Sequence, residues 1–472
     1  MADQPNIILI CVDQWRGDCF SGAGHPVVMT PYLDGWMSTG TRFRRAYSAT
    51  PTCVPARAAL FTGLSQEHHG RIGYQDGVSW DYPVTMAGEL TRAGYATQAV
   101  GKMHVYPERH RMGFDNVALH DGYMHFARRH HSDPAEVDDY MPWLREKMGY
   151  DADYVDHGLN CNSIVARPWD KPEYVHPSTW VMTRSIQFLR ERDVDRPFFL
   201  YASFHRPHPP YDPPAWAFEQ YLYESMPEPP VGDWTELWQE FENSVSPESQ
   251  VAQYDPRLLQ RARAGYYGHM SHIDQQVERL IEELQAQGLR NDTVICFISD
   301  HGELMGDHHL FRKSLPYEGS ANVPFIIAGP GIPAGVRDDV VELRDVFPTL
   351  LDVAGVAAPA SLDGRSVLPL TRGESVLWRE WLHGEHTAFG QSIQWLTDGV
   401  EKYIWCSGSG VEQFFDLAAD PQELRDLGRD PAAADRVTGW RGRLIETLAD
   451  RPEGFVADGQ LVAGRPVSAL LG

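Results

Sequence analysis

Short apolar runs bounded by turn residues alternate along this chain with apolar positions at helical spacing, a pattern that predicts a mostly parallel sheet covered by helices. Residues 6–12 (NIILICV), 96–100 (ATQAV), 198–204 (FFLYASF) and 293–299 (TVICFIS) read as buried strands, and 323–328 (VPFIIA) as another before Gly329-Pro330-Gly331. Met270, Ile273, Val277, Leu280, Ile281 and Leu284 recur on one helix face, with Gly288 as its stop, and residues 345–354 (DVFPTLLDVA) predict a further helix. The residues at the carboxyl end of each run matter most. The first run ends in Asp13-Gln14, the second leads into Gly101-Lys102-Met103-His104, the third ends in His205 and the fourth in Asp300-His301. Ligands of open α/β sheets bind at the carboxyl edge of the strands, so these endings predict a site there.

Residues 125–177, rich in His, Asp and Arg, and 206–249, dense in proline and aromatics, predict long irregular segments of the functional or mobile kind. Beyond residue 371 the runs shorten. Residues 381–385, 393–397, 402–406 and 413–417, separated by Gly, Asp and Ser, predict a small antiparallel sheet, and 432–449 a terminal helix. The expected organisation is an α/β catalytic domain over residues 1–370 and a smaller C-terminal α+β domain over 371–472. Neither an internal repeat nor a low-complexity tract interrupts it.

Of the 472 residues 42% are hydrophobic, ample for a large core, while 41 basic against 65 acidic residues give a net charge of −24. Such a chain is unsuited to nucleic acid or an anionic membrane surface. It also repels anionic substrates at long range, so a sulfate or phosphate site needs locally concentrated cations. No stretch approaches the ~20 apolar residues that cross a bilayer, and the first residues lack a signal-peptide pattern. The cysteines at 11, 19, 53, 161, 296 and 406 are scattered without a C-x-x-C pair, which predicts neither a disulfide framework nor a zinc ribbon. A cytoplasmic protein is expected.

The sharpest segment is residues 48–63, SATPTCVPARAALFTG. Pro55 suits the first turn of a helix and Gly63 its end, which puts Cys53 at the N-terminus and Arg57 one turn on, on the same face. Free N–H groups and the dipole make such a terminus attractive to anions, where a cysteine and a guanidinium could grip a tetrahedral oxyanion. Position alone leaves open that Cys53 merely caps a buried helix.

Cys53-Val54-Pro55-Ala56-Arg57 resembles the C-x-P-x-R maturation signature of type I sulfatases, in the alkaline phosphatase superfamily. The resemblance runs, in the family's order, through residues 5–13 (PNIILICVD), 101–104 (GKMH), 299–313 (SDHGELMGDHHLFRK), 323–331 (VPFIIAGPG) and 415–427 (FDLAADPQELRDL). Ala56 departs from the serine of many members. The resemblance implies an alkaline phosphatase-like fold and oxidation of Cys53 to formylglycine by a maturation enzyme. A thiol attacks sulfur poorly and leaves a thiosulfate that is hard to clear. An aldehyde hydrate carries two hydroxyls on one carbon: one attacks and expels the alcohol, the other loses its proton and ejects sulfate.

The resemblance further implies a divalent cation held by Asp13, Gln14, Asp300 and His301 and touching residue 53. Carboxylates and an amide oxygen suit calcium, the first expectation, or magnesium. His301, where many members have asparagine, moves the balance toward manganese or zinc. By the same resemblance Lys102 and Lys313 clamp sulfate oxygens, His104 takes the proton in the collapse step, and His205 serves the leaving oxygen. Lys102 and His104 are expected to share a face of one extended stretch. The paired histidines 68-69, 130-131 and 308-309 lack metal-site spacing and are expected to be structural or loop residues. His383-Gly384-Glu385-His386 reads as a strand end or as a reader of a sugar or aryl group.

The function expected is hydrolysis of a small-molecule or saccharide sulfate ester. Its first rival is a phosphonate monoester or phosphodiester hydrolase of the same superfamily, which shares an Asp-Gln pair but tends to replace the Lys102/His104 pair. The second is a non-catalytic binder of sulfated ligands. A homo-oligomer is left open.

Overall fold

The computed structural model describes residues 4–122 and 125–471. Its centre is an eight-stranded sheet made of β1 (Asn6–Asp13), β2 (Thr41–Phe43), β3 (Ala96–Gly101), β4 (Asn116–Leu119), β5 (Phe198–Pro207), β6 (Thr293–Ser299), β7 (Phe325–Ala328) and β8 (Gly335–Arg337). The spatial order is β4-β3-β5-β1-β6-β7-β2-β8. β1 lies parallel between β5 and β6, and β3 is parallel to β5; β7 alone runs against its neighbours.

Strand periodicity divides the core. Ile8, Ile10 and Val12 face one apolar layer with Ile295 and Phe297, and Ile7, Leu9 and Cys11 face the other with Val294, Cys296 and Ile298. Both faces are covered, which is why these strands are apolar throughout. The helices that cover the first include α1 (Pro31–Met37), α3 (Pro177–Glu191) and α4 (Pro256–Ala286); α2 (Cys53–Thr62) and α5 (Val346–Val353) cover the second.

A four-stranded antiparallel sheet comes next in the chain, β9 (Leu382–Ala388), β10 (Gln391–Thr397), β11 (Glu401–Cys406) and β12 (Glu412–Asp416), backed by α6 (Ala434–Leu448). The expected α/β architecture, with a smaller antiparallel sheet and helix after it, is the one observed. The 370/371 division falls at the end of the short helix Leu368–Thr371. The small sheet's other face shares one core with the large part: Leu382, Ile393 and Trp395 pack with Tyr47, Trp238, Leu304 and Tyr317.

Two expectations need correction. The segment 125–177 is not irregular throughout, for it contains the helices His125–His130 and Tyr140–Met148. Within the second, Tyr140, Met141 and Leu144 are buried at helical spacing. Segment 206–249 likewise contains the helix Ala215–Leu222. Among the described residues, no helix is long and apolar enough to cross a membrane.

Candidate active site

Because β1, β3, β5 and β6 run parallel, their carboxyl ends share one edge, and Asp13, Lys102, His205, Asp300 and His301 arrive there together. α2 brings Cys53 to the same place. Its N-cap Thr52 is extended and Gly63 closes it in the left-handed conformation, φ 68°, as the spacing of Pro55 and Gly63 predicted.

At the floor, Asp13, Cys53, Asp300 and His301 each offer one ligand atom, all within 4.8 Å of one another. The Cys53 Sγ lies 3.2 Å from His301 Nε2 and 3.7 Å from an Asp13 oxygen. His301 Nε2 is 3.2 Å from Asp13 Oδ1 and 3.7 Å from Asp300 Oδ1. The Gln14 backbone N–H donates to Asp300 Oδ1 at 3.2 Å, while its side-chain oxygen accepts from Lys313 Nζ at 2.7 Å. Lys102 pairs directly with Asp13. All these side chains are buried.

The electrostatics follow from crowding like and unlike charges out of water. Burial and neighbouring Asp13 push Asp300 up. Burial opposes charge on Asp13, but Lys102 and nearby imidazoles hold it well below the carboxylate range. Burial also opposes charge on His301, yet Asp300 raises it to about 10. Burial and Asp13 oppose a Cys53 thiolate, and Lys102, Lys313 and His301 outweigh them. Two converging carboxylates, an imidazole and an adjacent amide form a donor set fit for a divalent ion, which would displace the imidazole proton on binding.

Above this floor opens a cavity of about 540 Å³ lined by Cys53, Lys102, His104, His205 and Lys313, with Tyr74, Trp80, Tyr106 and Phe126 among its apolar walls. Lys313 is no solvated surface lysine, being 9% exposed. Lys102 and His104 both reach the cavity, although not as alternating residues of a strand. The backbone N–H groups of Met103 and His104 both bond Asp121 Oδ1, at 2.7 and 2.9 Å, and His104 turns to φ 56°. Its Nε2 sits 3.3 Å from Asp76. Burial and Lys102 oppose charge on this ring, but Asp76 and Cys53 carry it to about 9.

Arg57 departs from expectation. It is fully buried, outside the cavity lining, and bonds Asp300 Oδ2 at 2.9 Å, the Lys102 carbonyl at 2.8 Å, the Tyr201 hydroxyl at 2.9 Å and Ser203 Oγ at 3.0 Å. It braces Asp300 and the Lys102 turn from beneath and grips no oxyanion, because the helix face it shares with Cys53 passes under the strand ends. The paired histidines are structural where buried: His69 Nδ1 accepts from Arg71 N and His308 Nδ1 from Gly232 N.

Several site residues escaped the sequence reading. His208 lines the cavity beside His205, ring centroids 4.9 Å apart, and burial and Lys313 lower it to about 4. A second histidine three residues after His205 carried that signal. Asp76, Asp121 and Glu303, which bonds the Gln14 amide, had none. His386 bonds Thr52 Oγ1 at 2.6 Å, next to Cys53, so the stretch 383–386, which lies inside β9 and not at its end, buttresses α2.

A family model described as Sulfatase matches residues 5–356. The chain belongs to the type I sulfatase family. A second model, described as N-sulphoglucosamine sulphohydrolase, C-terminal, matches residues 306–450. This sulfatase is 46% identical over 476 residues to an arylsulfatase of Clostridium perfringens, with 99% of each chain covered. It is 31% identical to a choline-sulfatase of Rhizobium meliloti, over 91% of this chain and 83% of the relative. Among solved structures, the phosphonate monoester hydrolase of Agrobacterium radiobacter superposes with a TM-score of 0.79 at 25% identity, covering 98% of this chain and 100% of that one.

Proposed function

We propose that this sulfuric ester hydrolase cleaves an organic sulfate monoester to an alcohol and inorganic sulfate, using a nucleophile made by oxidising Cys53. The observation that carries the reading is the meeting of Cys53, Asp13, Asp300, His301, Lys102 and Lys313 around one cavity floor. Formylglycine at position 53 would supply, as its hydrate, an attacking hydroxyl and a second hydroxyl for clearing sulfate. Asp13, Gln14, Asp300 and His301 would hold a divalent ion, whose charge stabilises developing oxyanions. The oxygen donors favour calcium or magnesium, and His301 favours manganese or zinc.

The chain's own groups have distinct tasks. Lys102 and Lys313, now paired with Asp13 and Gln14, turn to the sulfate oxygens and fix the ester over position 53. His104, oriented by Asp76 and relieved of the Cys53 sulfur that helps hold it protonated once that residue is oxidised, accepts the proton of the collapse step. His205 donates a hydrogen bond to the departing oxygen. Arg57 holds Asp300 in place. The aromatic walls accept an aryl or sugar group, and an aryl ester is favoured by the 46% identical arylsulfatase.

The reading requires a formylglycine-generating enzyme as partner. A cytoplasmic location is part of the same proposal, supported by cysteines that stand apart from one another without a disulfide pairing. The phosphonate and phosphodiester alternative draws on the Asp13-Gln14 pair and the phosphonate hydrolase superposition, and Lys102 with His104 speaks for sulfate.

Protein co-expressed with a maturation enzyme is expected to show formylglycine in the mass of the peptide containing residue 53, and higher kcat/KM on an aryl sulfate than on the matched phosphonate. Cys53→Ala is expected to lose turnover to the detection limit with an unchanged melting temperature. Retained turnover would remove the nucleophile, and a large phosphonate preference would replace the substrate class.

A further inference from the structure

Behind His205 lies a buried polar network to which sulfate ester hydrolysis assigns no task. Arg206 and Asp212 are fully buried and form a two-pronged pair, Arg206 Nε to Asp212 Oδ1 at 2.8 Å and Nη2 to Oδ2 at 3.0 Å. Two distant segments hold Asp212 in turn. His157 Nδ1 accepts from the Leu159 N–H, so its Nε2 carries the proton and donates to Asp212 Oδ2 at 2.8 Å. The Asp212 N–H donates to His269 Nε2 on α4 at 3.0 Å.

His176, Asp212 and His269 also bring ligand atoms within 4.8 Å of one another, but two contacts argue against a cation there. Arg206 already neutralises Asp212. His176 Nδ1 accepts from the Ser178 N–H at 3.1 Å, leaving the ring proton on the nitrogen that would have to bind metal. The network therefore acts on what it touches, and it touches the active site through one bond: Arg206 Nη1 meets His205 Nδ1. A guanidinium has donors and no acceptor. His205 Nδ1 must accept, and its single proton sits on Nε2.

We infer that Arg206 and Asp212 are positioning residues that lock His205 in the Nε2–H tautomer, so that it meets the leaving oxygen as a fixed hydrogen-bond donor. This rests on the sulfatase reading and on His205 lining the cavity with Cys53, Lys102 and Lys313. Without Arg206 the imidazole is free to hold its proton on either nitrogen, and the Nδ1–H tautomer offers the departing oxygen a lone pair in place of a donor. The loss is greatest where the leaving alcohol most needs help, as its conjugate base becomes more basic.

The test uses full-length protein with confirmed formylglycine and a series of phenyl sulfates from nitro- to methoxy-substituted. Arg206→Met is expected to lower kcat/KM about tenfold more at the methoxy end than at the nitro end, steepening the leaving-group dependence. In a His205→Gln background the same substitution is expected to add less than about twofold, since the group it orients is gone. Asp212→Asn, which keeps shape while releasing Arg206, should steepen the series in the same direction and serves if Arg206→Met does not fold. Equal losses across the series, or full additivity with His205→Gln, would overturn the inference and leave the sulfatase reading standing. Wild-type protein that hydrolyses no sulfate ester would instead remove the reading itself.

Discussion

At the scale of single residues, the site depends on close approaches as much as on reactive groups. Gly122 has φ +83°, and a Cβ there would lie 2.1 Å from His205 Cδ2 and 2.4 Å from its Nε2. The imidazole therefore rests against bare backbone, in a conformation that L side chains rarely adopt. Gly122→Ala is expected to push the ring aside and lower kcat on the order of 100-fold, as small displacements of catalytic groups do. Steady-state rates on an aryl sulfate check this, and an unchanged kcat would mean that the ring has no fixed role. The same scale explains Arg57. The spacing C-x-P-x-R puts it on the face of Cys53, but only the strand ends above it show that this face meets Asp300, Tyr201 and Ser203 and not the ligand.

At the scale of elements, helices are joined by side chains that cap one another. Asp274 of α4 accepts the first-turn N–H groups of α1, Leu33 at 2.7 Å and Tyr32 at 3.3 Å. It is 1% exposed, and burial, with Asp34 and Glu278 nearby, pushes it up to about 7 against its backbone donors. The folded state thus keeps a proton that the unfolded chain releases near the ordinary value of 3.8. The resulting contribution to stability declines as pH rises from there through about 7. Asp274→Asn retains an accepting oxygen and removes the charge, so it is expected to raise the melting temperature at pH 8 and to change it little at pH 4. Thermal melts at both pH values decide, and equal shifts would refute the assignment. The helices inside 125–177 and 206–249 escaped the sequence reading for a related reason. They are only six to nine residues long, so burial by the rest of the fold defines them more than their own periodicity does.

At the scale of the molecule, the C-terminal sheet is built into the site region. Lys402 on β11 is fully buried, donates to the Pro316 carbonyl at 2.7 Å and to Glu423 at 2.8 Å, and lies in an ion pair with Glu318 at 2.8 Å, gripping the segment that carries Lys313. We propose that the 370/371 boundary separates topological units which share a core and fold together. Lys402→Met would leave the buried Glu423 carboxylate without its cation and is expected to cost about 3 kcal/mol, read by denaturant unfolding as one cooperative transition. A separate transition for the C-terminal part would contradict it. By itself the sequence determined the sheet-and-helix architecture, the strand ends that carry chemistry and the segment around Cys53, because apolar periodicity and turn residues act locally and register in neighbouring positions. Only the tertiary structure decided which way each side chain points once the strands align. It turned Arg57 beneath the floor, brought His208 and Asp76 to the cavity, and set Arg206 behind His205. Those outcomes depend on contacts between residues far apart in the chain, and of them only His208 left a local trace, in its spacing from His205.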